Sequence, residues 1–172
     1  MGLYCDFHAQ QEQSTANILG AMLKQLASRG GIPEHTREAF QETRKKFGGR
    51  GLLLPDMLDI LKKTIKSLPW LFICIDALDE CTPKHRRELI ESLRQIIRVS
   101  PGTRAFLTGR PHIEDEIVGC FSGVLRIPLS PTPSDIKSYL DMRLDDDSIP
   151  KAMDDKLRAD IMRIIPEKIS EV

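Results

Sequence analysis

A short apolar segment that ends in acids constrains this chain more than any other feature. Residues 71–75, Leu-Phe-Ile-Cys-Ile, carry no charge, and Asp76, Asp79 and Glu80 then follow within five positions. An apolar run without polar alternation is typical of a parallel strand that is covered on both faces. Ligands of open α/β sheets bind beyond the carboxyl ends of such strands. The segment therefore predicts a buried parallel strand with a polar site at its end.

Strands and helices alternate along the first 131 residues. Beside the strand at residues 70–75, short apolar strands are predicted at residues 2–7, 103–111 and 123–131, and helices lie between them. After residue 131 two helical patterns follow without a strand between them. This order predicts an α/β sheet built from right-handed crossovers in residues 1–131, with a helical segment appended in residues 132–172.

The composition excludes several classes of protein. The 172 residues contain 25 basic and 25 acidic side chains, so no strong field attracts nucleic acid or an anionic membrane. No apolar run approaches the ~20 residues of a membrane span. The four cysteines, at positions 5, 74, 81 and 120, form no CxxC pair and are expected to be reduced thiols. We therefore expect a cytoplasmic protein that binds neither nucleic acid nor membrane.

The acids after the strand suggest chemistry with a divalent cation. Asp76 stands directly at the predicted strand end, where a carboxylate can bind Mg²⁺. Glu80 could polarise a water for attack on a phosphoryl group, and Asp79 could share either task. An alternative is that Asp79 and Glu80 only begin the next helix, where acids favour the helix dipole. That alternative does not account for Asp76.

Two segments resemble motifs of NACHT-type (STAND class) P-loop NTPases. "LFICIDALDE" resembles their Walker B motif, with Ala77 in place of the more frequent glycine. "TRAFLTGRP" resembles the strand and sensor 1 element, which implies that Arg110 reaches toward the γ-phosphate. By itself Arg110 would be a surface turn residue before Pro111.

The resemblance extends over nearly the whole chain. "LYCDFHAQQEQSTANILGAMLKQL" and "IPLSPTPSDIKSYLDMRL" are similar to segments of fungal NACHT proteins, including those with a nephrocystin-like N-terminal domain. The resemblance implies an incomplete three-layer P-loop NTPase-like parallel sheet, with a partial NACHT core in residues 1–131 and the start of a helical subdomain in residues 132–172. It also implies ATP or GTP with Mg²⁺ as cofactor, bound at Asp76, and catalytic roles for Asp79, Glu80 and Arg110.

The phosphate-binding loop of that family is not found in this sequence. A P-loop needs Gly-x-x-x-x-Gly-Lys-Ser/Thr, and none of the Lys-Ser/Thr pairs of the 172 residues follows a glycine. The resemblance places this loop before the first strand, so we expect an N-terminally truncated NTPase that lacks a central strand. Residues 123–131 would then form a loose fourth strand or slide inward to fill the gap. We expect no cofactor to be bound by this chain alone.

Three functions are consistent with the sequence. The first is a fragment of a NACHT signalling NTPase, a nucleotide-dependent switch that controls oligomerisation. The second is a non-enzymatic interaction module that self-associates or docks on an intact NACHT protein through an open sheet edge. The third is an independent metal-dependent hydrolase that uses Asp76, Asp79 and Glu80.

Overall fold

The computed structural model describes residues 1–30, 37–38, 41, 53–146 and 154–169. The chain divides into two compact units, Met1–Val124 and Leu125–Val172. The motifs and both strands that carry them lie in the first unit. A polar helix that the sequence predicts in residues 32–51 falls almost entirely outside the described residues.

The first unit is built on a parallel sheet. Its strands are β1 (Gly2–Tyr4), β2 (Leu71–Asp76) and β3 (Thr103–Leu107), in the order β1-β2-β3. Tyr4 pairs with Asp76, and Ile75 pairs with Leu107. The predicted α/β class and parallel sheet are therefore confirmed, and all three strands end at the same edge.

Helices follow the strands where the sequence predicts them. In this unit they are α1 (Thr15–Gly30), α2 (Leu54–Lys66), α3 (Pro83–Val99) and the short α4 (Glu114–Val118). The Thr82 hydroxyl accepts a hydrogen bond from the His85 N–H at 3.4 Å, and Pro83 occupies the first turn. Both are helix start signals that can be read from the sequence. The hydroxyl accepts a hydrogen bond from a backbone N–H that has no partner in the first turn, and proline has no N–H that would need one.

The core lies between one face of the sheet and these helices. Alternate residues of β2, namely Leu71, Ile73 and Ile75, are buried in it. The helical side chains packed in the same cluster are Ile18, Leu19, Met22, Leu58, Leu61, Ile65, Leu89, Ile90, Leu93 and Ile96. Removing this apolar surface from water is the main source of the unit's stability.

Within the described residues of the first unit, the opposite face of the sheet is open, contrary to the expectation of cover on both faces. Phe72 and Phe106 are 48% and 56% exposed, and Cys74, which pairs with Phe106 in the register, is exposed too. The prediction was wrong because an uncharged strand was taken as proof of two covering layers. The described helices of the first unit pack on the other face of the sheet and leave the rings of Phe72 and Phe106 uncovered.

The predicted fourth strand is also wrong. Residues 124–132 form no regular secondary structure, and Leu125 and Leu129 are 84% and 86% exposed. A strand needs a neighbour that completes its ladder, and Pro128 in this segment has no N–H to donate. The alternating apolar pattern alone therefore did not produce a strand.

The described residues of the second unit form two helices, α5 (Pro133–Asp145) and α6 (Asp155–Ile169), as predicted after residue 131. Thr132 and Asp135 form a reciprocal capping box that fixes the start of α5. Arg158 of α6 pairs with Asp141 and Asp145 of α5 at 3.3 and 2.8 Å. In the described parts of the chain, no helix combines the length and apolar character needed to cross a membrane.

The turn before β3 requires a glycine. A Cβ at Gly102 would overlap the Pro69 carbonyl oxygen and lie 3.1 Å from its carbon, whereas a Cβ at Gly20 would meet nothing within 4 Å. We expect Gly102→Ala to lower the free energy of unfolding by about 2 kcal/mol or more, because neither backbone segment can yield easily.

The matched control is Gly20→Ala, in the middle of α1. It should raise stability by about 0.5–1 kcal/mol, since alanine is the better helix former. Urea denaturation of the three proteins gives both values. Equal stability of Gly102→Ala and the parent would contradict the close approach of the two backbones.

Candidate active site

The last residue of β2 is joined to the residue after β3. The Thr108 hydroxyl donates a hydrogen bond to the Asp76 carboxylate and accepts one from the Ala77 N–H at 2.9 Å. The Thr108 N–H donates to the Ile75 carbonyl at 3.0 Å, which continues the sheet ladder by one residue. Strand pairing therefore sets the position of the Asp76 side chain, which is exposed to solvent.

A left-handed residue turns the chain sharply after Asp76. Ala77 has φ 54° and ψ 47°, a conformation that costs a residue with a Cβ roughly 1–2 kcal/mol. Glycine would adopt it without strain, which gives a physical reason for the small residue of this motif. The turn then passes into a 3₁₀ segment, Leu78–Glu80, whose Leu78 side chain is fully buried.

Asp79 and Glu80 belong to this 3₁₀ turn and not to the following helix. Helix α3 begins at Pro83 and carries no acid in its first turn. The interpretation of these acids as the start of the next helix is therefore wrong. The Gln10 side-chain amide donates to the Glu80 carbonyl oxygen at 2.8 Å and holds the turn from the β1 side.

Arg110 meets both acids of the turn. Its backbone N–H donates to Asp79 Oδ1 at 3.2 Å, and its guanidinium lies 3.4 Å from Asp79 Oδ2 and 3.2 Å from Glu80 Oε1. The Asp79 side chain is 5% exposed and that of Arg110 is 72% exposed. The guanidinium therefore lies largely in solvent while its carboxylate partners are mostly buried, so these contacts are not the weak ion pairs of a fully exposed surface.

The structure thus brings the four residues singled out in the sequence to one edge of the sheet. Asp79, Glu80 and Arg110 are in direct contact. Asp76 is linked to them through Thr108, which lies two positions before Arg110. This placement follows from the parallel pairing of β2 and β3, whose carboxyl ends must lie side by side.

The donor set fits Mg²⁺ that is already bound to phosphate. The Asp76 carboxylate and the Thr108 hydroxyl are oxygen ligands, which hard cations prefer. Within the described ranges, no group of three or more His, Cys, Asp or Glu side chains is arranged to hold a metal ion. Mg²⁺ commonly takes one or two carboxylates and completes its shell with water and phosphate oxygens.

Sequence reasoning missed Arg86, a buried residue of α3 that braces the turn. Its guanidinium forms two hydrogen bonds to the Glu116 carboxylate, at 2.9 and 2.7 Å, and a third to the Cys81 carbonyl oxygen at 3.2 Å. The hydrogen bonds that Arg86 donates to Glu116 raise the pKa of Arg86 and lower the pKa of Glu116. The pairing of Arg86 with Glu116 could not be predicted from the sequence, because the two residues are 30 positions apart.

A known protein family matches the part of the chain that contains this site. The family model of the nephrocystin 3 N-terminal region matches residues 2–110, well over half of the chain. The chain belongs to the nephrocystin 3 N-terminal family. The match includes β1, the turn Leu78–Glu80 (called the acid turn below) and Arg110. The four site residues predicted from the sequence therefore lie within the nephrocystin 3 N-terminal region. No curated protein and no solved structure shows significant similarity to the chain.

The Arg86–Glu116 pair should make stability depend on pH. Glu116→Gln should lower the free energy of unfolding by about 2 kcal/mol at pH 7, because a buried guanidinium loses its charged partner. The pKa of Glu116 is lowered in the folded state, so its contribution is present above the unfolded value near 4.3 and is lost as pH falls through the folded value.

Thermal denaturation between pH 3 and pH 7 should therefore show the two proteins converging below about pH 4. Glu91→Gln is the matched control, because Glu91 also pairs with an arginine, Arg94, at 2.8 Å but on the surface. Its change should be much smaller at every pH. A constant difference between Glu116→Gln and the parent down to pH 3 would contradict the assigned pairing.

Proposed function

We propose that this protein provides the acidic half of the nucleotide site of a NACHT-type signalling NTPase. The observation that carries the proposal is the contact of Asp79, Glu80 and Arg110 at the sheet edge where Asp76 ends β2. Asp76 supplies a metal ligand, Glu80 an acceptor for a proton, and Arg110 a cation that can follow phosphate charge. The P-loop-like character of the sheet, a fungal NACHT ancestry and a cytoplasmic location belong to the same proposal.

Each side chain has a distinct task in this proposal. A magnesium-bound nucleoside triphosphate supplies the phosphoryl group and most of the charge that the site must balance. Asp76, oriented by Thr108, would hold the magnesium ion that balances part of this charge. Asp79 is buried and receives the Arg110 backbone N–H, so it acts as a positioning residue. Glu80 is 19% exposed and can accept a proton from water once Arg110 turns away from it.

Nucleotide affinity of these 172 residues alone should be low. The sequence contains no Gly-x-x-x-x-Gly-Lys-Ser/Thr loop, which in such sites cradles phosphate with backbone N–H groups. The Arg110 guanidinium is also partly neutralised by Asp79 and Glu80. The phosphate-binding elements of the switch must then come from another segment or another molecule.

The proposal predicts weak binding of metal and nucleotide at a defined place. Titration of the labelled protein with Mn²⁺ and ATP should broaden the amide NMR signals of residues 76–80 and 108–110 first, because Mn²⁺ can replace Mg²⁺ at oxygen ligands. The dissociation constant should be on the order of millimolar, equivalent to only ~4 kcal/mol.

Asp76→Asn should remove this local broadening, and Asp141→Asn on α5 should leave it unchanged. Binding in the micromolar range would show that these residues form a complete nucleotide site. Absence of local broadening at saturating Mn²⁺ and ATP would refute the acidic half-site itself.

The open sheet face favours a second candidate function, that of an interaction module. The Trp70 and Phe72 ring centres are 6.0 Å apart, and the Phe72 and Phe106 ring centres are 6.3 Å apart. The three rings form a continuous apolar row, and each is about half exposed or more. Contiguous exposed apolar patches commonly mark protein interfaces. A second copy of the chain, or the corresponding face of an intact NACHT protein, would bury this row.

Self-association through this face can be measured directly. We expect sedimentation velocity to show a concentration-dependent dimer that Phe72→Gln or Phe106→Gln weakens at least tenfold, since each removes one ring of the row. Phe7→Gln is the control, because Phe7 is 62% exposed and lies in a separate 3₁₀ turn. A monomer at all concentrations, or equal effects of the three substitutions, would argue against a dimer through this face.

A further inference from the structure

Two cysteines that are far apart in the sequence meet beneath the acid turn. The sulfur atoms of Cys5 and Cys81 are 3.2 Å apart, within hydrogen-bond distance of thiols. Both side chains are about 2% exposed and neither forms a disulfide in this structure. The pair is independent of the nucleotide chemistry proposed above, because neither sulfur is needed for metal or phosphate binding.

The backbone around both cysteines is well fixed. The Cys5 N–H donates to the Asp76 carbonyl at 3.0 Å, which continues the pairing of β1 with β2. The Cys81 N–H donates to the Leu78 carbonyl at 3.2 Å, and its own carbonyl accepts from Arg86. The two sulfurs therefore face each other because of the sheet register and the turn, and not through a chance surface contact.

We propose that Cys5 and Cys81 are a redox modification site that forms a reversible disulfide and thereby ties the end of β1 to the acid turn. A disulfide requires the sulfurs to approach to about 2.05 Å, which is roughly 1 Å closer than their present separation of 3.2 Å. The bond would close a long loop, from residue 5 to residue 81, and would remain directly next to Glu80.

The surroundings distinguish the roles of the two thiols. The pKa of Cys81 is lowered, first by its hydrogen bond with Cys5 and further by the Arg86 guanidinium, whereas the pKa of Cys5 is raised mainly by the same contact. The Arg86 guanidinium favours the thiolate form of Cys81, so we assign Cys81 as the sulfur that attacks the oxidant and Cys5 as the sulfur that resolves the product.

The chemistry balances with hydrogen peroxide as the oxidant. The Cys81 thiolate attacks one peroxide oxygen, the O–O bond breaks, and Cys81 sulfenic acid and water result once a proton is supplied. The Cys5 sulfur then attacks the sulfenic sulfur, an S–S bond forms, and hydroxide leaves with the Cys5 proton as a second water. Sulfur loses two electrons and peroxide gains them. A dithiol reductant reverses the change by thiol–disulfide exchange.

The consequence for the protein is a stiffer acid turn. In the reduced state hydrogen bonds alone hold Cys81 and the turn Leu78–Glu80 in place, whereas in the oxidised state a covalent bond would also join Cys81 to the end of β1. Restriction of the unfolded chain should also raise the melting temperature, by about 5–10 °C for a loop of this length.

The test uses the native protein with Cys74 and Cys120 replaced by serine, so that only the proposed pair remains. Hydrogen peroxide should lower the intact mass by two hydrogen atoms, and a non-reducing digest should contain a peptide that joins Cys5 to Cys81. Dithiothreitol should restore both the mass and the lower melting temperature. Parallel treatment of the parent protein should give the same cross-link despite the presence of Cys74, which is exposed.

Cys5→Ala in this background removes one partner while Cys81 is kept. It should lose the cross-link and the rise in melting temperature, and should instead accumulate oxygen on Cys81. The proposal is overturned if the cross-link forms only in denatured protein. It is equally overturned if, in the parent, Cys81 pairs with Cys74 or Cys120 in place of Cys5.

Discussion

The pairing of β2 with a parallel neighbour on each side is the constraint on which the candidate site depends. Parallel strands place their carboxyl ends at one edge, and the short loops that leave this edge must start close together. Asp76, the acid turn and Thr108 are brought together by this rule alone. The backbone bonds from Leu78 to the Thr108 carbonyl and from Thr108 to the Ile75 carbonyl then fix the two loops to each other. A slip of one residue in this register would turn the Asp76 side chain to the other face.

The acid turn is braced from beneath as well as from the sheet. Arg86 holds the Cys81 carbonyl and is itself held by Glu116, so helix α3 and the short helix α4 both support the residue that follows Glu80. Gln10 supports the Glu80 carbonyl from the β1 side. The left-handed Ala77 is the one non-glycine residue with positive φ among those that the structure describes. Such strain persists where the surrounding contacts determine the conformation, which these bonds do.

Much of the fold could be predicted from local signals. The apolar residues 71–75, the capping Thr82 and the helical spacing of α1, α2 and α3 each have a direct physical meaning within a few positions of the chain. The position of Arg110 beside Asp79 and Glu80 could be predicted because strand order and crossover handedness leave few alternatives. Their chemical roles and the cofactor stay predictions.

The failures of sequence reasoning have a common cause, because each concerns a partner distant in the chain. Whether Phe72 is covered depends on what lies over the sheet, and the residue itself is apolar in either case. Whether residues 123–131 form a strand depends on a neighbouring ladder, which the alternation of Leu125, Ile127 and Leu129 cannot supply. The Arg86–Glu116 pair and the Cys5–Cys81 contact are likewise tertiary, and no local pattern indicates either of them.

The aromatic row on the open sheet face also gives the molecule a built-in optical reporter. Trp70 is the sole tryptophan of the 172 residues, and it is 68% exposed at the start of β2. Its indole is therefore in contact mainly with the solvent above the sheet and has little contact with the helical core beneath it. The fluorescence emission of Trp70 will therefore report whether that face is exposed to water or covered. It will respond little to changes in the packing of the helical core.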